Sequence, residues 1–347
     1  AVAWIDLNAD GFDDLLVSSG RGAPPAIFIN RAGSAFDPVP NLPVTQRDQT
    51  ATVPWPAPDG RRLALFAHAN YEDGLTNGPM VGHLAWPNPG LLDTLPAQPW
   101  SAGPLAVGDP EGSGSLALFV GARVVPGRYP LSPGGALYRH DGQRWIEDPA
   151  LQPALRHVGL VSAALWSDLD GDGRPELVLA CEWGPLRVLA LHQGRWIDRT
   201  ADWGLDAFTG WWNGLAAGDL DGDGRLDLVA SNWGRNTRYQ AYRHRPLRLL
   251  HGDFLGDGRH HALEVFHDPD LDRWVPWHHL GRMAAALPPV RNRLPTYREY
   301  GLAGIEQILG DAFPAARTLE ASHLESTLFL NRGTRFEARP LPDEAQW

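Results

Sequence analysis

The chain has 347 residues, 41 of them acidic and 30 basic, and the resulting formal charge of −11 argues against a nucleic-acid surface, which needs a basic stripe. Hydrophobic residues make up 43%, ample for a core, while 38 Gly and 31 Pro dispersed between apolar runs suit a turn-rich β fold rather than disorder. No apolar run reaches the roughly 18 residues of a membrane-spanning helix, so no membrane insertion is expected.

In chain order, the first element is an acidic loop running into an apolar strand. Asp6, Asn8, Asp10, Gly11, Phe12 and Asp14 precede Leu15, Leu16 and Val17. A hairpin pattern follows at 27–36, with Asn30 in its turn and Phe36 opening the return strand. A weaker loop copy at 55–63 has Trp55 and Leu63 where acids stand in the first, around Pro58, Asp59 and Gly60. Another, from Asp109 to Gly114, lacks the last acid because Ala117 replaces it. Hairpin patterns recur at 137–145 and 189–196.

Between and after these, two loops repeat the first in full. They are Asp168, Asp170, Asp172, Gly173, Arg174 and Glu176, then Asp219, Asp221, Asp223, Gly224, Arg225 and Asp227. A last weak copy starts at Asp253, with Leu255 and His261 in two ligand positions. Thr296 and Glu299 have the spacing of a capping box, and 305–309 has helical spacing, so short helices are expected across 280–311. A final hairpin pattern spans 328–336, with Asn331 in its turn. The lone Cys181 excludes an internal disulfide and, after an apolar run, reads as core. The chain opens inside a strand-like run, which reads as a processed chain or a segment of a longer protein.

The shared pattern, D-x-[DN]-x-D-G-x-x-[DE], puts oxygen ligands at positions 1, 3 and 5, a turning Gly at 6, a carbonyl at 7 and an acid at 9. Those are the parts of a calcium cage. An EF-hand would need a bidentate Glu at position 12 and flanking helices; here position 12 is Val17, Leu179 or Ala230, and the flanks are strands. Three Ca²⁺ sites are therefore expected between strands. The position-5 residues fall at 10, 59, 113, 172, 223 and 257, spacings of 34 to 59 that fit the blades of a β-propeller.

The expected fold is all-β, a single β-propeller over 1–347 with six four-stranded blades, seven being the alternative. Blades are placed at about 1–45, 46–98, 99–150, 151–202, 203–246 and 247–341, the last holding a helical insertion at 280–311.

The loops, the stretch from Val17 through Gly22, Ala23 and Pro24, and the hairpin ends at Asn30 and Asn331 resemble the FG-GAP/VCBS-repeat family. Integrin α-subunit heads and bacterial relatives of cartilage acidic protein are propellers of this kind. The resemblance is strong at 1–36 and 158–240 and weaker at 49–120. It implies Ca²⁺ on one rim of a propeller outside the cytoplasm: extracellular, periplasmic or on the cell surface. Carried over by position, the ligands are Asp6, Asn8, Asp10, the Phe12 carbonyl and Asp14. The second set is Asp168, Asp170, Asp172, the Arg174 carbonyl and Glu176. The third is Asp219, Asp221, Asp223, the Arg225 carbonyl and Asp227.

Three functional readings follow. The leading one is a protein- or glycan-binding module of the adhesion type, Ca²⁺ rigidifying the blade loops. Its candidate rim comprises Glu182, Trp183, Trp212, Asn213, Asn232, Trp233, Arg235 and Asn236, with exposed Trp stacking on a ligand; buried Trp183, Trp212 and Trp233 would defeat it. The second is a calcium-dependent polysaccharide lyase or hydrolase using His260, His261, His278, His279, His323 and Glu325, although no catalytic motif supports it. The third is a structural segment of a large repeat protein.

Overall fold

The computed structural model describes residues 1–57, 60–71, 78–87, 90–242 and 244–346, so Pro58 and Asp59 of the second loop copy, and Trp347, lie outside the described residues. Among the described residues the strands form six antiparallel sheets, and none of them closes into a barrel.

Sheet 1 holds Val2–Ile5, Asp14–Val17, Ala26–Asn30 and Phe36–Pro38 in that order. Sheet 2 holds Gln49–Pro56, Arg62–His68, Val81–Ala85 and Leu91–Leu95, and sheet 3 holds Ser101–Gly108, Ala117–Val124, Gly135–His140 and Trp145–Asp148. Sheet 4 comprises Leu160–Ser167, Glu176–Gly184, Arg187–His192 and Arg195–Asp198, with Gly210–Trp211 paired to the far end of its second strand. The first strands of sheets 1 to 4 lie side by side, and that of sheet 4 lies against Gly214–Gly218 of sheet 5.

The strand sequences explain this stacking. The second strands of sheets 2, 3 and 4 are nearly continuous apolar runs because both faces of those sheets are covered. Numbered from each acidic loop, position 10 (Leu118, Leu177, Leu228) packs with the preceding sheet. Position 11 (Leu16, Phe119, Val178) packs with the following one. Alternation with period 2 thus assigns each side chain to one of two inter-sheet cores.

The last two expected units do not follow one another. Asp227–Ser231 of sheet 5 pairs with Thr327–Asn331, Val229 standing opposite Leu328, and Phe336–Pro340 completes the sheet. The hairpin at 328–336 therefore belongs to the same sheet as the loop at 219–227. Between the two halves of sheet 5 is inserted sheet 6, in the order Arg273–Pro276, His261–Asp268, Leu247–Gly252 and Arg317–Ala321.

The insertion carries the expected helices, Leu280–Ala286, Pro289–Arg293, Tyr297–Leu302 and Ile305–Leu309. The capping box is present: Glu299 N–H donates to Thr296 Oγ1 at 3.1 Å, and Thr296 N–H donates to the Glu299 carboxylate at 3.0 Å. Sheet 6 lies between two cores. Leu250, Leu263 and Val265 pack under the helices, while Leu247, Leu249 and Phe266 meet Val124, Leu160 and Trp183 at the ends of sheets 3 and 4 opposite the acidic loops.

Phe329 is the test of the split sheet. It is fully buried against Trp212, Phe208 and Phe336 and stands opposite Leu228. Phe329→Ala is expected to cost about 3–5 kcal/mol in chemical unfolding. Amide exchange at Leu228 and Ala230 should accelerate with it; unchanged protection there would contradict the pairing.

Candidate metal centres

Each acidic loop is first a hydrogen-bonded turn. In the loop at 168–176 the Asp168 carboxylate accepts the N–H groups of Gly171, Asp172 and Gly173 at 2.8, 3.1 and 2.9 Å. Asp219 accepts those of Gly222, Asp223 and Gly224 at 2.8, 3.1 and 3.0 Å. Asp6 accepts Asp10 and Gly11 N–H, both at 3.1 Å. The position-5 acids Asp10, Asp172 and Asp223 each accept the N–H of the position-7 residue, Phe12, Arg174 or Arg225, at 2.9 Å. Wrapping the chain this tightly puts position 4 in the left-handed region, where Gly171 and Gly222 sit easily and Ala9, at φ 62°, is strained.

The position-9 acid does something different. Asp14, Glu176 and Asp227 begin the second strands and are buried, at 0%, 4% and 0% exposure. Each accepts the position-2 N–H: Leu7 to Asp14 at 2.9 Å, Leu169 to Glu176 at 2.8 Å, and Leu220 to Asp227 at 2.9 Å. In sheets 1 and 5 the second carboxylate oxygen accepts an N–H from the third strand, Asn30 to Asp14 and Asn331 to Asp227, both at 2.8 Å. The asparagine side chains extend this brace. Asn30 Nδ2 donates to the Asp13 carbonyl at 3.0 Å, and buried Asn331 Nδ2 donates to the Leu226 carbonyl at 3.2 Å and across to the Leu169 carbonyl, in the loop of sheet 4, at 2.8 Å.

The acids then converge. Among the described residues, Asp168, Asp170 and Glu176, and likewise Asp219, Asp221 and Asp227, bring carboxylate oxygens within 4.8 Å of one another, so either group could hold a metal ion. Carboxylates about 5 Å apart repel by roughly 3 kcal/mol per pair at an effective dielectric of 20. Burial accordingly pushes the Glu176 carboxyl up to about 7, the Leu169 N–H opposing the shift and Asp170 and Asp168 adding to it. A hard cation with oxygen preference answers this donor set. In the first loop Asn8 replaces one acid, and its Nδ2 donates to Asp10 at 2.9 Å.

Arginines temper the charge. Arg332 reaches Asp221 at 2.6 Å and Asp223 at 3.6 Å, Arg62 reaches Asp6 at 2.6 Å, and Arg174 folds back on Asp172. The hydrogen bonds from Arg332 and Arg174 hold Asp221 and Asp172 below the ordinary carboxylate range. Arg332 and Arg62 stand outside the loop motif, so the repeat pattern carries no signal for them, and at Arg174 and Arg225 it marks only the carbonyl.

Two weak copies, at Asp109 and Asp253, keep the turn, and neither is among the converging acid groups of the described residues. Asp253 still accepts Gly256, Asp257 and Gly258 N–H at 2.8, 3.2 and 2.8 Å, but this loop lies in inserted sheet 6 with Leu255 and His261 in place of acids. Asp109 accepts Glu111 N–H at 3.2 Å and also Gly114 N–H, with Ala117 buried at the closing position.

The expected rim is not an exposed stacking surface. Trp212 is fully buried, its Nε1 donating to the Phe208 carbonyl at 3.1 Å. Trp183 is buried beside Trp211 and Trp233 and donates to Tyr129 at 2.8 Å. Glu182 is buried in an ion pair with Arg123, and Arg235 pairs with Glu325 and Asp343 at 3.5 and 2.7 Å. Asn232 is buried and braces the chain, accepting the N–H groups of Trp211 and Trp233 at 3.0 and 2.8 Å. Trp233 is half-buried, stacked between Trp211 and Tyr239, and only Asn213 and Asn236 are exposed. The insertion's core reaches Trp183, Trp211 and Trp233, while Trp212 is buried in the core between sheets 4 and 5.

The histidines raised as catalysts occupy separate surroundings. His260 meets His251 at 3.0 Å, while His323 hydrogen-bonds Thr327 at 2.7 Å, faces Glu325 at 3.8 Å and stacks on Trp212. His261 stacks on Phe254, and the His278 carbonyl, next to His279, accepts the Tyr300 hydroxyl at 2.6 Å.

Asn331 is the brace most open to test. Asn331→Ala removes two side-chain donors and leaves the buried Leu169 carbonyl without that partner, so unfolding free energy should fall by about 1–3 kcal/mol. Asn331→Ala with wild-type stability in urea titration would contradict the bracing role.

Comparison with the curated proteins returns no match. Residues 168–230, which run from the loop of sheet 4 to the second strand of sheet 5, match the family model of the FG-GAP-like repeat.

Proposed function

We propose that the chain is a calcium-binding, β-propeller-type module of the adhesion or ligand-binding kind, working outside the cytoplasm. The observation that carries this reading is the convergence of Asp168, Asp170 and Glu176, and of Asp219, Asp221 and Asp227, within the segment matching an FG-GAP-like repeat. Ca²⁺ would be held there with Asp172, Asp223 and the Arg174 and Arg225 carbonyls. Asp6, Asn8, Asp10, the Phe12 carbonyl and Asp14 would form a third site. The ion supplies positive charge that neutralises the clustered acids and pins the turn joining two strands. Extracellular modules bind Ca²⁺ with dissociation constants of about 10⁻⁴–10⁻³ M, which suits calcium-rich surroundings.

A second observation supports the propeller. Trp166 and Trp196 of sheet 4, with ring centroids 6.0 Å apart, pack on sheet 3 beside Ala106, and Gly108 leaves room for the Trp166 ring. Sheet 1 carries the same pair in the same register, Trp4 and Phe36 at 5.9 Å, but 56% and 44% exposed. Sheet 5 carries the matching socket, with Ala216 and Gly218 standing before their loop as Ala106 and Gly108 stand before theirs. The two end sheets thus bear the complementary halves of an inter-sheet contact made elsewhere in the chain, as the arc of a propeller requires.

Calorimetric titration with Ca²⁺ tests the metal sites. Saturable binding at two or three sites is expected, each adding about 2.7 kcal/mol of stability at 100 times its dissociation constant. Asp170→Asn and Asp221→Asn should each weaken one site by at least tenfold. A flat titration, or the same response to Mg²⁺, would overturn the calcium assignment.

A further inference from the structure

The second loop copy, where the first and closing acids are replaced, is followed by a cleft of about 460 Å³ between sheets 2 and 3. Trp55 stands at position 1 and Leu63 at position 9, so the two residues that replace the first and closing acids line the cleft. Trp145 lies against Trp55 with ring centroids 4.5 Å apart, and His140 meets Trp145 edge-on at 5.1 Å. This aromatic wall is held by strands and is continuous with a buried core.

The polar lining is as selective as the wall. Arg61, Arg144, Gln143, His83, His140 and Thr94 face the same space; among the described residues none of the lining is acidic, and Asp141 lies behind the turn, 3.7 Å from Arg144 Nε. The turn that carries Gln143 and Arg144 is fixed by the Asp141 carboxylate, which accepts both N–H groups at 2.9 and 2.8 Å. His140 Nδ1 accepts the Gly142 N–H at 3.1 Å, so a neutral ring keeps its proton on Nε2 as a donor. His83 Nδ1 and Thr94 Oγ1 share a hydrogen bond at 2.6 Å, and burial together with Arg61 holds His83 below its ordinary pKa.

An aromatic wall stacks on the apolar face of a sugar ring, neutral donors and acceptors suit hydroxyls, and two guanidinium groups suit a carboxylate. We infer that the cleft between sheets 2 and 3 binds a short acidic oligosaccharide, a uronic-acid ring stacking on Trp145 with its carboxylate on Arg144 and Arg61. This rests on the binding-module reading and names its ligand class. It uses none of the proposed calcium ligands, so the two can fail separately.

The test is calorimetry of the full chain with trigalacturonate and with its methyl ester, which keeps the rings and removes the charge. Both titrations are run in calcium and in EGTA, because uronates bind calcium themselves. Binding of the acid is expected in both buffers, with at least a tenfold loss for the ester and for Arg144→Gln, an exposed substitution that leaves the fold intact. Trp145→Ala, checked for a retained melting transition, should abolish binding. No binding of the acid, equal binding of acid and ester, or an unaffected Arg144→Gln would overturn the assignment. Binding lost in EGTA by a still-folded chain would overturn it too, as a metal bridge. Filled calcium sites beside a silent sugar titration would sink the cleft alone.

Discussion

The structure depends on a buried carboxylate at the start of the second strand. An ionised carboxyl taken out of water costs several kcal/mol unless donors surround it. Asp14 and Asp227 meet that demand with two backbone N–H groups from different segments, the loop's position 2 and the asparagine of the third strand. One side chain thereby fixes the turn, the strand that follows it and the next strand over. Glu176 accepts the loop N–H of Leu169, and burial, with Asp170 and Asp168 adding to it, raises its carboxyl to about 7. A cation at Asp168 and Asp170 would supply the charge that this site lacks.

The same brace explains how sheet 5 survives interruption by a whole sheet and four helices. Chain-closure entropy grows slowly with length, about 0.6 kcal/mol for each doubling, so a self-contained insertion is tolerated when the flanking strands still recognise each other. Here recognition is residue by residue: Val229 opposite Leu328, and Asn331 on Asp227, Leu226 and Leu169. Having its own core under the helices, sheet 6 spends its other face covering the strand ends of sheets 3 and 4. The acidic loops, at the opposite ends, stay in solvent.

Local features were legible in the sequence because local chemistry makes them. The acidic turns, the hairpins at 27–36 and 328–336 and the Thr296–Glu299 capping box all form within a few residues. Which sheet the last hairpin joins was not legible, since its pattern is the same whether it continues sheet 6 or returns to sheet 5. Exposure of the tryptophans failed for a related reason. Trp183 closes one strand and Trp233 follows another, and the core of the inserted sheet reaches both, with Tyr129 and Trp211 also against Trp183. Asn30 and Asn331 were visible as hairpin residues, but their work as braces needs the third strand beside the loop. Trp55 and Leu63 read only as lost ligands until the third sheet placed Trp145 across from them.

The central claim is that the closing acids couple metal to strand, so the amides they hold should report it. Hydrogen exchange at Leu7, Leu169 and Leu220 N–H, measured with Ca²⁺ and with EGTA, is the direct measurement. The account expects exchange at Leu169 and Leu220 to slow by about 100-fold in Ca²⁺, the equivalent of 2.7 kcal/mol of added stability, with core amides of sheets 4 and 5 following. Equal exchange in the two buffers would mean that the loops are turns held by backbone hydrogen bonds alone, and the metal reading would fall.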